Sequence, residues 1–220
     1  MPKEHPFAQQ WNHNTRHYPK IANLVEGRQV ILDVGCGEGT LARYLAGLGH
    51  QVIGVDRDPA VLPPDGAGTH FMLGDATGLP FADDSFDFVY SYAVFQHIPS
   101  REIVFQYLEE CRRVLKTGGI LRCQINGLPQ TAALPNTWEG VRIEAREAAD
   151  FALRNDFQVL ALEGAGTQYL WTTWRKRPRG WRDSLRPPET PPARLRGFGN
   201  TYTGEPLVPS RGRYACVSLW

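Results

Sequence analysis

The chain has 220 residues, of which 42% are hydrophobic, and a formal net charge of +1 at pH 7. This length suits one domain with an appendage, and the small net charge argues against bulk electrostatic binding to nucleic acid or a membrane. The sequence has no apolar run of transmembrane length, no signal-peptide-like start, and four cysteines without metal-binding spacing. These features predict a cytoplasmic protein without a metal site.

The predicted elements begin with an interrupted helix over Phe7–Leu24, because Pro19 disfavours helix at the preceding residue and can open a second helix. Helices are also predicted over Thr40–Leu48 and Arg101–Lys116, each with an apolar face. Ser100 is expected to cap the second of these helices, and the pair Gly118-Gly119 to end it. The short apolar runs that predict strands are Gln29–Val34, Gln51–Val55, His70–Leu73, Phe86–Tyr92 and Ile120–Ile125.

The remaining elements are a helix over Ile143–Leu153 and two strands, Phe157–Glu163 and Gln168–Arg175, which glycines join as an antiparallel hairpin. Strands that alternate with helices predict an α/β fold with a doubly wound, Rossmann-like sheet. We expect seven strands, mostly parallel, with the last strand antiparallel. In such a sheet, ligands bind at the carboxyl ends of the strands, where the strand order switches.

Composition divides the chain into three parts. Residues 1–28 form an N-terminal helical segment, residues 29–177 the sheet domain, and residues 178–220 a Pro- and Arg-rich C-terminal arm with a potential β-hairpin. From Arg175 to the end, ten basic residues are opposed by only three acidic ones, so positive charge is concentrated in this arm. The last residues, RYACVSLW, alternate like a strand, and such a strand can pair with a partner chain.

A glycine-rich loop follows the first predicted strand. Residues 30–40 read VILDVGCGEGT, with three glycines in alternation. The dinucleotide motif GxGxxG would place its last glycine at Thr40. The carboxylates of Asp33 and Glu38 would repel a pyrophosphate but would suit an ammonium group. The loop therefore favours S-adenosylmethionine over NAD.

Two further acids follow the next strands. Asp56 lies at the end of the second strand, about twenty residues past the loop, where a carboxylate can accept hydrogen bonds from both ribose hydroxyls. Asp75 ends the third strand, where it can accept from an adenine amine while the Ala76 N–H donates to a ring nitrogen. Asp56 could instead cap the turn at Asp58, and Asp75 could instead form a turn.

With these residues, the sequence resembles the class I S-adenosylmethionine-dependent methyltransferases, in particular the small-molecule, methyltransferase type 11/25-like enzymes. The matching pieces are VILDVGCGEGT, VIGVDRDP, LGDATGLPFADDSFDFVYSYAVFQHI and RVLKTGGIL, in the family's order, and they extend roughly from Val30 to Arg175. The resemblance implies that residues 29–177 bind S-adenosylmethionine and that residues 1–28 fold over it as a lid. It implies these contacts: Gly35, Cys36, Gly37 and Gly39 at the methionine part, Asp33 at the loop or the ammonium, Asp56 at the ribose, Asp75 and Ala76 at the adenine, Arg57 on the adenine face, and Tyr92 beside the cofactor.

Other residues are candidates for contacts with the methyl acceptor. His97 follows the fourth strand and is either a general base or a side chain that packs at the start of the next helix. Asn14, Arg16 and Tyr18 could meet the substrate or the methionine carboxylate, or belong to a plain surface helix. Trp138 is either a substrate contact or a core anchor. Cys36 is interpreted as a small tolerated residue and not as a nucleophile.

The predicted activity is transfer of a methyl group from S-adenosylmethionine to an O, N or C atom of a small metabolite. The fourth strand is followed by SYAVFQHI, which has neither an NPPY-like tetrad nor a Pro-Cys pair, so methylation of adenine, glutamine or cytosine carbon is disfavoured. One alternative is an RNA or protein methyltransferase that uses the basic arm, and another is a cofactor-binding protein without turnover. The expected partner is a small-molecule acceptor, with no membrane or nucleic acid, and a homodimer could form through the arm.

Overall fold

The computed structural model describes residues 18–131 and 140–182. Within these residues, seven strands form one sheet. The strands are β1 (Val30–Val34), β2 (Gln51–Asp56), β3 (Thr69–Leu73), β4 (Phe86–Ser91), β5 (Leu115–Ile125), β6 (Phe157–Glu163) and β7 (Leu170–Lys176). The helices are α1 (Tyr18–Ala22), α2 (Thr40–Gly47), α3 (Arg101–Val114) and α4 (Ala145–Arg154), and a 3₁₀ turn covers Phe95–His97.

The sheet has the strand order β3-β2-β1-β4-β5-β7-β6. Strands β1 to β5 are parallel to one another, whereas β7 runs antiparallel to both β5 and β6. The predicted doubly wound, mostly parallel sheet with an antiparallel last strand is therefore confirmed. Because β1 pairs with β2 on one side and β4 on the other, the strand order reverses between β1 and β4, and a ligand site is expected at the carboxyl ends of these strands.

Two apolar layers cover the sheet, one on each face. The layer that includes α3 and α4 is larger and contains Phe86, Phe157 and Trp174, each at most 1% exposed. The opposite layer joins α1 and α2 to the strands through Ile21, Leu45 and their neighbours. Burial of a large apolar side chain contributes roughly 1.5–3 kcal/mol, so these layers hold the strand ends in place.

The predicted boundary between α3 and β5 is wrong. The Ser100 hydroxyl does cap α3 by accepting from the Ile103 N–H at 3.3 Å, but the helix ends at Val114, before Gly118-Gly119. Leu115 already pairs with Phe86, and pairing resumes only at Ile120. The two glycines thus lie in an irregular stretch inside β5, where a Cβ on Gly119 would lie 2.7 Å from the Asp87 carbonyl oxygen.

The other predicted elements shift by one or two residues at their ends. Strand β7, for example, covers Leu170–Lys176 instead of Gln168–Arg175. The expected lid and arm lie almost wholly in residues 1–17 and 183–220, outside the described residues, so the three-part division stays a prediction. No helix in residues 18–131 and 140–182 is long and apolar enough to cross a membrane.

Candidate functional site

Four backbone N–H groups of the glycine loop after β1 donate hydrogen bonds to acceptors within the protein. Gly35 and Cys36 donate to the Val55 carbonyl at 2.8 and 3.1 Å, and Gly39 donates to the Cys36 carbonyl at 2.9 Å. Gly37 donates to the Asp56 Oδ2 carboxylate oxygen at 2.9 Å. An anion-binding loop offers such N–H groups to its ligand. With four of them used internally, this loop is poorly suited to a pyrophosphate, which agrees with the interpretation of the sequence.

Two glycines of the loop are required by close packing. Gly35 has φ +76°, and a Cβ there would lie 2.2 Å from Val94 Cγ2. Gly39 has φ +69°, and its Cβ would lie 2.4 Å from Phe71 Cζ. Gly37, with φ +50°, differs because its Cβ would meet no atom of the described residues within 4 Å. The loop is therefore packed tightly at both ends and open at its middle glycine.

Asp33 is a buried acid beneath this loop. Its side chain belongs to β1 and is 4% exposed. Burial, and to a smaller extent the Asp56 charge, raises the pKa of Asp33 to about 7, although the Tyr90 hydroxyl opposes this rise. That hydroxyl faces Asp33 across the β1–β4 pair but has no hydrogen-bond partner of normal geometry in the described part of the chain. Asp33 is thus a carboxyl whose charge a nearby cation would stabilise.

Asp56 lies at the carboxyl end of β2 and supports the loop. Its Oδ2 accepts from Gly37, as above, and its Oδ1 accepts from the Asp58 N–H at 3.0 Å. The capping alternative is therefore part of its role. An ionised carboxylate has about four acceptor sites, so both oxygens keep capacity for the hydroxyls of a ribose.

Asp75, after β3, is exposed and engaged in a turn. Its Oδ1 accepts from the Thr77 N–H at 2.8 Å and the Thr77 hydroxyl at 2.6 Å, and these bonds lower the pKa of Asp75. The turn-forming alternative is thus observed, and Oδ2 is the atom that could accept from a ligand. Arg57 is exposed nearby and lowers the same pKa by its charge. The Tyr107 hydroxyl on α3 faces both side chains. The sequence did not predict this contact, because Tyr107 lies in the apolar stripe of the helix.

Cys36 and Ala76 are the remaining small residues of the predicted cofactor site. Burial, followed by the charges of Asp33 and Asp56, raises the pKa of the Cys36 thiol well above its ordinary value. A thiol that resists ionisation is a poor nucleophile, in agreement with the prediction. Ala76 is 6% exposed and packs in the core beside Asp75.

His97 ends the 3₁₀ turn after β4 and is exposed. Its Nε2 lies 3.3 Å from the amide nitrogen of Gln96. The turn is tied to the loop that follows β5, because Val141 donates to the Ile98 carbonyl at 2.9 Å. His97 therefore lies on the rim of the edge that holds the glycine loop, and its catalytic role stays a prediction.

Tyr92 follows β4 and takes part in contacts that the sequence did not reveal. Its ring stacks on Trp171 of β7, with centroids 5.3 Å apart and planes at 8°. The next residue, Ala93, has φ +58°, and its N–H donates to the Gln124 side chain at 3.1 Å. Gln124 is buried in β5, so it fixes the turn that presents Tyr92. A buried glutamine within an apolar strand is a signal that could have pointed to this support.

Tyr18 is described as part of α1, 8% exposed, with its ring 5.4 Å from Tyr44. Burial, followed by the charge of Asp33, raises the pKa of Tyr18. Tyr18 belongs to the apolar layer against which Cys36 of the glycine loop packs. Three other predicted acceptor contacts, Asn14, Arg16 and Trp138, lie outside the described residues.

Comparison with known proteins agrees with the fold. Residues 32–123 match the family model described as a methyltransferase domain. The chain is 33% identical over 112 residues to a ubiquinone biosynthesis O-methyltransferase of Cereibacter sphaeroides, covering 47% of this chain and 44% of that one. It is 38% identical over 99 residues to a 2-methyl-6-phytyl-1,4-hydroquinone methyltransferase of Synechocystis, covering 41% and 30%. The chain thus spans less than half the length of these curated relatives.

A solved structure shows the same fold. The 1,6-didemethyltoxoflavin-N1-methyltransferase of Burkholderia thailandensis, with bound 1,6-didemethyltoxoflavin and S-adenosylhomocysteine, superposes with a TM-score of 0.59 at 18% identity. The alignment covers 78% of this chain and 84% of that one. The matched family region includes most of β1, all of β2 to β4, the glycine loop, the half-buried Asp56 at the end of β2 and the exposed Asp75 after β3. Residues 32–123 therefore match a methyltransferase domain, and the sheet that contains them has the fold of this S-adenosylhomocysteine-bound methyltransferase.

Proposed function

We propose that this protein is a methyltransferase that binds S-adenosylmethionine at the carboxyl ends of β1, β2 and β3 and methylates a small molecule. The observation that supports this most is the internal bonding of the glycine loop, which leaves a packed turn beside Asp33 and Asp56, with Asp75 after the neighbouring strand β3. Such a turn suits a ligand with an ammonium group and a nucleoside, and it disfavours one with a pyrophosphate. The names of the curated relatives support a small-molecule acceptor.

In this proposal, the chain's residues bind and orient, and the bound ligand provides the reactive group. When bound, S-adenosylmethionine supplies a sulfonium methyl group, which passes to a nucleophilic O, N or C atom of the acceptor and leaves S-adenosylhomocysteine. Asp56 accepts from the ribose hydroxyls, Asp75 and the Ala76 N–H read the adenine, and Arg57 packs on the adenine face. Asp33 and the loop glycines border the methionine part. Holding two reactants in line supplies much of the rate gain, so few catalytic groups are needed.

His97 is the proposed base where the acceptor must lose a proton. It is exposed on the rim after β4, beside Gln96. A neutral imidazole at this rim can take the proton that leaves an acceptor hydroxyl or amine. Acceptors that are already ionised do not require it, so we expect replacement of His97 to slow transfer to a protonated acceptor more than transfer to an ionised one.

The test combines binding and turnover. Calorimetry with S-adenosylmethionine and with NAD should show binding of the first alone, and Asp56→Ala should weaken it. Incubation of the full chain with a metabolite extract and methyl-labelled cofactor should then label a small molecule. Binding of NAD alone, or an undiminished affinity in Asp56→Ala, would overturn the site. Cofactor binding without any labelled product would favour the alternative of a protein without turnover, and labelled RNA or protein would favour the alternative that uses the basic arm.

We further propose a cytoplasmic location and a homodimer formed through residues 178–220. The location is supported by Cys36, Cys111 and Cys123, which are free thiols, as expected of a protein in a reducing compartment. The dimer rests on the strand-like alternation at the end of the chain. Light scattering tests the proposed dimer. The full chain should have the mass of two chains, whereas a chain that ends at residue 182 should have the mass of one.

A further inference from the structure

A stack of flat side chains lies beside the glycine loop, at the edge where the acceptor has to reach the cofactor. It joins segments that are far apart in the sequence, since Tyr92 follows β4 and Trp171 belongs to β7. The 8° angle between the two rings makes a flat slab. A cage for a cation needs rings that face a common centre from several sides. The observed arrangement therefore suits another flat ring better than a compact ammonium group.

The inner end of this stack is fixed. Trp171 is 6% exposed, and the Arg122 guanidinium lies 4.8 Å from its ring centroid. Arg122 is itself 4% exposed and is held by Glu163, with 2.8 Å between Nη2 and Oε2, and by the Thr173 hydroxyl. Trp171 has almost no surface left for a ligand, so it positions Tyr92.

The outer end of the stack has accessible aromatic surface. Tyr92 is only partly buried, and Tyr169, on the turn between β6 and β7, is 52% exposed. Tyr169 directly precedes β7 and stands two residues before Trp171, so it lies at the same end of the sheet as the stack. Burial, followed by the charges of Tyr18 and Tyr169, raises the pKa of Tyr92 to about 12. The backbone of Tyr169 is anchored, because its N–H donates to the Thr167 hydroxyl at 3.1 Å. The Thr167 carbonyl in turn accepts from Gly127, after β5, at 2.9 Å.

We propose that Tyr92 and Tyr169 form a stacking surface for the methyl acceptor, and that this acceptor is a planar aromatic compound with hydroxyl groups. The proposal rests on the proposed function, because it names the substrate class of the same site. A flat acceptor extends the Trp171–Tyr92 stack, and the exposed Tyr169 hydroxyl can exchange hydrogen bonds with those of the acceptor. A saturated ring with the same hydroxyls lacks the flat face and binds less well.

The test measures binding and does not require turnover. Full-length protein saturated with S-adenosylhomocysteine is titrated with catechol and, separately, with cyclohexane-1,2-diol, and ligand-observed NMR gives the dissociation constants. Catechol should bind at least threefold more tightly than the diol. Tyr169→Ala should weaken catechol binding about three- to tenfold, the range expected for one stacked ring. Tyr169→Phe keeps the ring and removes only the hydroxyl, so it should weaken catechol binding less than Tyr169→Ala does.

Tyr44→Ala is the matched control, since Tyr44 is a partly exposed tyrosine on α2, at 37% exposure, whose ring contacts Tyr18 and not Trp171. Its catechol affinity should equal that of the parent. Equal affinities for catechol and the diol, no catechol binding, or an unchanged affinity in Tyr169→Ala would each overturn the proposal. S-adenosylhomocysteine binding is measured separately by calorimetry, so a protein that binds catechol but not the cofactor would refute the proposed function alone.

Discussion

A methyl group added at Gly35 should destabilise the fold far more than one added at Gly37, two residues along the same loop. At Gly35, the left-handed φ of +76° costs an alanine about 1 kcal/mol, and its Cβ would lie 2.2 Å from Val94 Cγ2. Displacement of a packed side chain adds about 1–3 kcal/mol. We expect Gly35→Ala to lower the free energy of unfolding by about 2–4 kcal/mol and Gly37→Ala by about 1 kcal/mol, because at Gly37 only the φ cost applies.

Urea unfolding of the full chain, followed by circular dichroism, measures both losses. Calorimetry with S-adenosylhomocysteine then separates folding from binding, since the Gly37 methyl group would point into open space bordered by the proposed cofactor site. Gly37→Ala should therefore stay folded and bind the ligand at least tenfold more weakly. Val94→Ala removes the atoms that clash, and it should cost less stability in the Gly35→Ala background than in the parent. Equal stability losses at the two glycines, or equal costs of Val94→Ala in both backgrounds, would refute the steric reasoning.

Three further predictions concern the acids and one buried lysine. The pKa of Asp33 is about 7 in the folded protein and ordinarily 3.8, so its contribution to stability is present at low pH and is lost as the pH rises from about 4 to 7. Asp33→Asn should remove up to about 4 kcal/mol of this decline in the free energy of unfolding, which urea unfolding measures. Asp56→Asn should weaken S-adenosylhomocysteine binding in calorimetry about tenfold or more, and Asp75→Asn about threefold, since Thr77 already occupies Asp75 Oδ1. Lys176→Met should cost about 2–3 kcal/mol by thermal unfolding, because it strands the buried Leu115 carbonyl and removes the Asp84 bond.

The cofactor half of the site was predictable because its residues are local. Asp56 and Asp75 each follow a short apolar run, and the carboxyl ends of parallel strands meet at one edge whatever the details of packing. What the sequence could not show is how these groups are used. The Asp75 turn with Thr77 and the Asp56 bond to the Gly37 N–H depend on loop geometry, which residue types alone do not determine. The burial of Asp33, and therefore its raised pKa, depends on side chains from β4 and α1.

The misplaced start of β5 has a similar cause. A glycine pair after an amphipathic run normally ends a helix. Here, pairing of Leu115 with Phe86 outweighs that local preference. The buried Lys176 amine, from the neighbouring strand β7 that is distant in the sequence, also donates to the Leu115 carbonyl. Local propensity is a weak prior wherever long-range pairing satisfies the backbone.

The acceptor half was hidden because it depends on one topological choice. Alternation and glycines predict that β6 and β7 form a hairpin, but they do not say which of the two lies next to β5. With β7 inserted between β5 and β6, Trp171 comes opposite Gln124, and its ring comes within stacking distance of Tyr92. The same Gln124 holds the backbone of the turn that carries Tyr92. If β6 instead paired with β5, Trp171 would lie one strand further from β4, about 5 Å farther away, and the stack could not form. In the proposed site, the antiparallel order at this end of the sheet brings the stacked rings together, while the parallel strands at the other end carry the proposed cofactor residues.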